Sequence, residues 1–181
     1  MTVLSRTGDW IVTACRIGVG LSFAVLIAAV LIQVVGRVAG ASPVWTEELT
    51  RFALLYLVAF GAGLALRSGD LVNVDAICEA LPGDLPRRLR LLAAAITAAL
   101  ALYLAVPAWK FVAIGVMQTS PALGLRMNVV HFSVWLLLAL LAAFAVLRIV
   151  RMIASAEDGT PIRAEEAPDD EPGAVPPSAA R

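Results

Sequence analysis

Four stretches of this chain contain no aspartate, glutamate, lysine or arginine, and their lengths constrain what it can fold into. Ile17–Val35 and Leu91–Trp109 each run for nineteen residues, Met127–Leu147 for twenty-one and Phe52–Leu66 for fifteen. Cations bracket every one: Arg16 and Arg37, Arg90 and Lys110, Arg126 and Arg148, Arg51 and Arg67. A helix that crosses ~30 Å of hydrocarbon needs ~20 apolar residues. Three runs meet that length directly. The fourth meets it if its helix begins earlier, with Ser42 as the cap, Pro43 at the first helical position and Glu47 and Glu48 in the turns that follow. A helix over 43–66 is ~36 Å long, and it sets Trp45 at headgroup level, where an indole suits a mixed environment. Charged residues make up 15% of the chain and apolar ones 60%. Soluble domains carry ~25% charge. The fold class is therefore all-α and integral to a membrane, with four transmembrane helices over about 13–36, 43–66, 89–114 and 127–150.

Ala39-Gly40-Ala41 has the small side chains of a signal-peptide cleavage site, but the apolar run before it is longer than the ~7–15 residues of such a peptide. We read it as a retained span. Alternate sides of the membrane then carry unequal positive charge. The side with both termini and the second loop has ten arginines, against four lysines and arginines on the other. Cytoplasmic loops are the richer in these residues, so both termini are expected in the cytoplasm.

Between the second and third spans, Leu71, Val74, Ile77, Cys78 and Leu81 recur at helical spacing, with Asp70, Asp75 and Glu79 largely off that stripe. This predicts a short amphipathic helix on the cytoplasmic surface, ended by Pro82-Gly83. From Ser155 onward the chain has five prolines and seven acidic residues against Arg163 and Arg181. That composition predicts a disordered cytoplasmic tail over 155–181 after a membrane domain over 1–154. The remaining +5 balance, twelve basic against seven acidic groups, is what arginine-flanked helices produce and carries no nucleic-acid signal.

The chemistry of an enzyme or a complete carrier is missing from the pattern. No acidic residue lies within the four charge-free runs, and Lys110, near the outer end of the third span, is placed to snorkel. Ions and charged solutes normally bind at ionisable or broken-helix sites near the midplane. One histidine, His131, does not supply the paired axial ligands of a membrane haem. Cys15 and Cys78 form no CxxC pair, and no cluster has the spacing of metal ligands. The expectation is no catalytic residue, no cofactor and no metal.

The informative residues lie where helices meet partners. Trp45-Thr46-Glu47-Glu48-Leu49-Thr50-Arg51 puts two acids within one helical turn of an arginine, so either Glu47 or Glu48 can pair with Arg51. An anchor at the membrane surface explains this as readily as a docking site. Gly61-Ala62-Gly63 with Ala65 makes a small-residue face that admits another helix closely, from within the chain or from outside.

With these residues the sequence resembles the small membrane subunit of TRAP transporters, the DctQ-type permeases, over roughly residues 10 to 150. The resemblance rests on Trp45-x-Glu47-Glu48-Leu49-x-Arg51, the apolar helix with Gly61-Ala62, Arg67-x-Gly69, Val72-Asn73-Val74-Asp75, Leu81-Pro82, and Ser120-Pro121-Ala122-Leu123-Gly124-Leu125 before the last span. It departs at Leu71, where the family often has histidine, and at Arg126, where proline is common. The resemblance implies three parts. A DctP-type extracytoplasmic binding protein captures an organic acid or similar solute. A large DctM-type permease moves it by an ion-coupled elevator motion. A non-catalytic small subunit braces the permease in the bilayer. On that reading Trp45, Glu47, Glu48, Arg51, Gly61 and Gly63 form the partner interface. The small subunit of a tripartite tricarboxylate transporter, of similar size and helix count, and the membrane anchor of a quinone-linked enzyme are the alternatives.

Overall fold

A computed structural model describes residues 2–41, 43–68 and 85–154. The expected surface helix between the second and third spans, the tail after 154, Ser42 and Cys78 lie outside the described residues. Four helices make up the rest: α1 (Thr2–Val38), α2 (Trp45–Ser68), α3 (Leu85–Gly115) and α4 (Met127–Ala154). All four are long and apolar enough to cross a membrane. Helix α1 extends well beyond its apolar run, and its 37 residues reach ~55 Å at 1.5 Å per residue.

The three tight pairings are α1 with α2, α2 with α4, and α4 with α3. The helices thus stand in a row, α1–α2–α4–α3, with two at the flanks. Helices α1 and α2 run antiparallel, as do α3 and α4. Helices α2 and α4 run parallel, Tyr56 meeting Val129 near their starts and Gly63 meeting Phe144 further along. Both described chain ends therefore fall at one end of the row. The connectors 39–44 and 116–126 fall at the other.

Gly40 serves the end of α1. Its φ of 75° is left-handed, a conformation glycine adopts at no steric cost. The Ala41 N–H donates to the Gly36 carbonyl at 2.8 Å and the Gly40 N–H to that of Arg37 at 3.2 Å. These two bonds form a Schellman cap, which satisfies carbonyls a helix end leaves open. Cap chemistry thus accounts for the small residues of Ala39-Gly40-Ala41.

Helix α2 starts at Trp45, two residues later than Pro43 was expected to start it. Pro43 instead closes a turn, its carbonyl accepting the Thr46 hydroxyl at 2.6 Å and the Thr46 N–H at 3.3 Å. The side chain of Thr46 is fully buried, as a hydroxyl can be once its donor is satisfied.

The packed core lies toward the terminal end. Val12 and Cys15 from α1, Leu66 from α2, Ala98 from α3, and Phe144 and Ala145 from α4 form one cluster. Glycines let the helices close on it. A Cβ at Gly18 would meet the Phe60 ring at 2.7 Å, and one at Gly63 would meet the Phe144 ring at 2.9 Å. Where chains approach this closely in lipid, small residues allow backbone contact in place of the hydrophobic drive that water supplies.

Candidate partner interface

At the end opposite the termini, the connector between α3 and α4 is a closed turn. The Met127 N–H donates to the Gln118 carbonyl at 2.9 Å and the Ser120 N–H to that of Leu125 at 2.8 Å, with Thr119 and Arg126 bridged between them. Gly124, at φ 65°, lets the tip reverse, and its N–H returns to the Ser120 carbonyl at 3.1 Å. The Pro121–Leu123 tip points its N–H groups back toward the membrane domain.

Glu48 meets them. One carboxylate oxygen accepts the Ala122 N–H at 3.1 Å and the Leu123 N–H at 2.9 Å. The Ser120 hydroxyl joins the same carboxylate and also accepts the Leu123 N–H at 3.2 Å. Consecutive N–H groups of this kind form a concave anion site, here filled by a side chain of the protein itself. The acidic start of α2 and the Ser120–Leu125 stretch, more than seventy residues apart, are therefore parts of one structure.

This arrangement separates the residues singled out from the sequence. Neither Glu47 nor Glu48 closes an ion pair with Arg51 among the described residues. Glu48 turns to the loop, while Trp45, Glu47 and Arg51 remain exposed. The two glycines part as well. Gly63 is buried against Phe144 and Leu140 of α4, whereas a Cβ at Gly61 would meet nothing within 4 Å.

Three contacts that hold this end together gave little sign in the sequence. The Tyr56 hydroxyl donates to the Val129 carbonyl and ties α2 to the start of α4. His131 is buried, stacks on Phe111 at 3.7 Å between centroids, and places Nδ1 3.0 Å from the Phe111 carbonyl. Gly115 lies directly against Asn128 and His131. A signal for the last exists only in retrospect, as the single glycine of α3. Among the described residues, no three His, Cys, Asp or Glu side chains are grouped to hold a metal.

The family model described as Tripartite ATP-independent periplasmic transporters, DctQ component, matches residues 26–155. The chain belongs to the DctQ family. It is a small membrane subunit of a TRAP transporter and a multi-pass membrane protein. The match covers α2, α3, α4 and the C-terminal part of α1, so both halves of the Glu48–loop structure lie within it. It decides between the two transporter readings of the sequence. At family level, DctQ proteins work with a large DctM permease and a DctP-type binding protein. No curated protein and no solved structure matches this DctQ chain.

Proposed function

We propose that this subunit is the non-catalytic scaffold that braces the large permease in the bacterial inner membrane, with both termini in the cytoplasm, in a symport system importing an organic acid or similar solute. The observation that carries the reading is the row of helices. Four unbroken spans keep uncharged side chains through their middles, whereas carriers bind ions and solute on discontinuous helices at that depth. Because α1 and α3 stand at the flanks, they present long apolar surfaces, including Leu21, Phe23, Ile27 and Val34 on α1 and Leu92, Ile96 and Leu100 on α3. A wide, stiff wall is what a neighbour with a moving transport domain needs as a fixed support.

The outer interface divides by role. Trp45, Glu47 and Arg51 are free to meet the large permease or the binding protein, and Gly61 offers a second helix close approach. Glu48 acts through the shape of the 120–125 loop, and Gly63 acts by seating α2 on α4. In cells carrying the complete transporter, Glu47→Gln with Arg51→Gln is expected to lower solute uptake several-fold while the subunit stays inserted at wild-type amounts. Uptake and complex yield both unchanged would remove these two side chains from the interface.

A further inference from the structure

Arginines from all four helices gather at the terminal end of the row, and Asp9 is the acid that faces them among the described residues. Asp9 does little to offset them. It is 68% exposed and 3.7 Å from Arg67, which also has Arg151 and Arg16 as like-charged neighbours.

One cleft at this end is built differently from the surrounding surface. It has a volume of about 280 Å3, lies between the start of α3 and the end of α4, and is lined by Arg87, Arg88, Leu91, Met152 and Ile153. Arg87 is held in place, its Nη2 donating to the Met152 carbonyl at 2.8 Å. That bond satisfies one of the last carbonyls of α4, which have no intrahelical partner. A guanidinium has five N–H donors, so the group is oriented with donors to spare. Arg88 is exposed and makes no ion pair among the described residues. The rest of the cleft is apolar, and Ile153 is 70% exposed there.

We propose that this cleft binds an anionic phospholipid, with Arg87 and Arg88 on the phosphate and Leu91 and Ile153 against the first methylenes of the acyl chains. The assignment rests on the membrane reading of the four helices. Guanidinium groups take phosphate oxygens through paired N–H bonds, and basic clefts between spans at the cytoplasmic side suit anionic headgroups. The apolar wall distinguishes a lipid from free phosphate, which would gain nothing from Leu91 or Ile153. The site would fix the depth of α3 and α4 at the end where no packed connector among the described residues does so.

The test uses the full-length protein in mild detergent, given equal amounts of phosphatidylglycerol and phosphatidylcholine and analysed by native mass spectrometry. Retention of phosphatidylglycerol over phosphatidylcholine is expected. Arg88→Gln, which breaks no bond among the described residues, should weaken it about fivefold, and Arg87→Gln with Arg88→Gln about thirtyfold. Arg126→Gln, at the opposite end, should leave it unchanged. Equal retention of the two lipids, wild-type retention by Arg88→Gln and the double variant, or displacement of the lipid by excess inorganic phosphate would each overturn the proposal. Failure here leaves the scaffold reading intact, because that reading is tested through the permease.

Discussion

Replacing Gly115 with leucine lowers the melting temperature of the detergent-solubilised subunit by about 6–12 °C, the equivalent of about 3 kcal/mol. Gly115 ends α3 where it crosses the start of α4. A Cβ there would stand 2.6 Å from the Asn128 backbone nitrogen, 2.6 Å from His131 Nδ1 and 2.8 Å from the Asn128 Cα. Two of those three atoms are backbone, so no rotamer change relieves the clash. The helices have to separate, and separation pulls His131 off Phe111 and opens the contact between its Nδ1 and the Phe111 carbonyl. Trp109 and Trp135, packed edge to face at 5.4 Å, span the same two helices and report the change by fluorescence. Gly20→Leu is the matched control. A Cβ at Gly20 meets nothing within 4 Å, so its melting temperature should stay within about 2 °C of wild type. Equal melting temperatures for the two variants would show that the α3–α4 crossing is looser than the structure has it.

Glu48→Ala frees the loop between α3 and α4 without unfolding the membrane domain. The carboxylate is the acceptor that draws the Ala122 and Leu123 N–H groups inward, and alanine leaves Ala122 open to water and Leu123 with the Ser120 hydroxyl as its remaining acceptor. Hydrogen exchange is expected to change from protected to fast at Ala122 and to rise less at Leu123. The Ser120 and Met127 amides, bonded to Leu125 and Gln118 within the loop itself, should keep their protection. Glu47→Ala, one residue away but exposed, should leave all four as they are. Glu48→Gln separates charge from shape. Its amide oxygen still accepts but lacks the charge that strengthens such bonds, so intermediate exchange is expected. Unaltered protection in Glu48→Ala would mean that the turn is held by its own backbone bonds and by Ser120 alone.

The residues differ in how openly they announced their roles. Charge-free runs between basic residues place helices because lipid imposes a simple rule: every backbone polar group must be satisfied within the segment. Helix starts were less open. Pro43 fits a first helical position, yet the Thr46 hydroxyl captures its carbonyl and defers the helix to Trp45. The sequence also brought out both halves of the loop structure, the Glu47-Glu48 pair and the Ser120–Leu125 stretch, but not their contact. Helical spacing points Glu48 at Arg51, and the competing partner is a pair of backbone N–H groups whose orientation depends on the Gly124 turn. Similarly, Gly61 and Gly63 read as one small face, although two residues apart on a helix means roughly opposite sides. Packing on Phe144 claims one and leaves the other open. Gly115 was invisible because its need for close approach arises from the partner helix.

The central claim is that this DctQ-family subunit exists to support a large permease. Its most direct test is affinity purification of the full-length subunit in mild detergent from cells that express the whole transporter at natural levels, with the co-eluting proteins identified and quantified. The account predicts a multi-span permease of the DctM type in stoichiometric amount, lost when the exposed faces of α2 are crowded by Gly61→Leu. Recovery of the subunit alone, together with full uptake in a matched strain that lacks the subunit, would contradict the account.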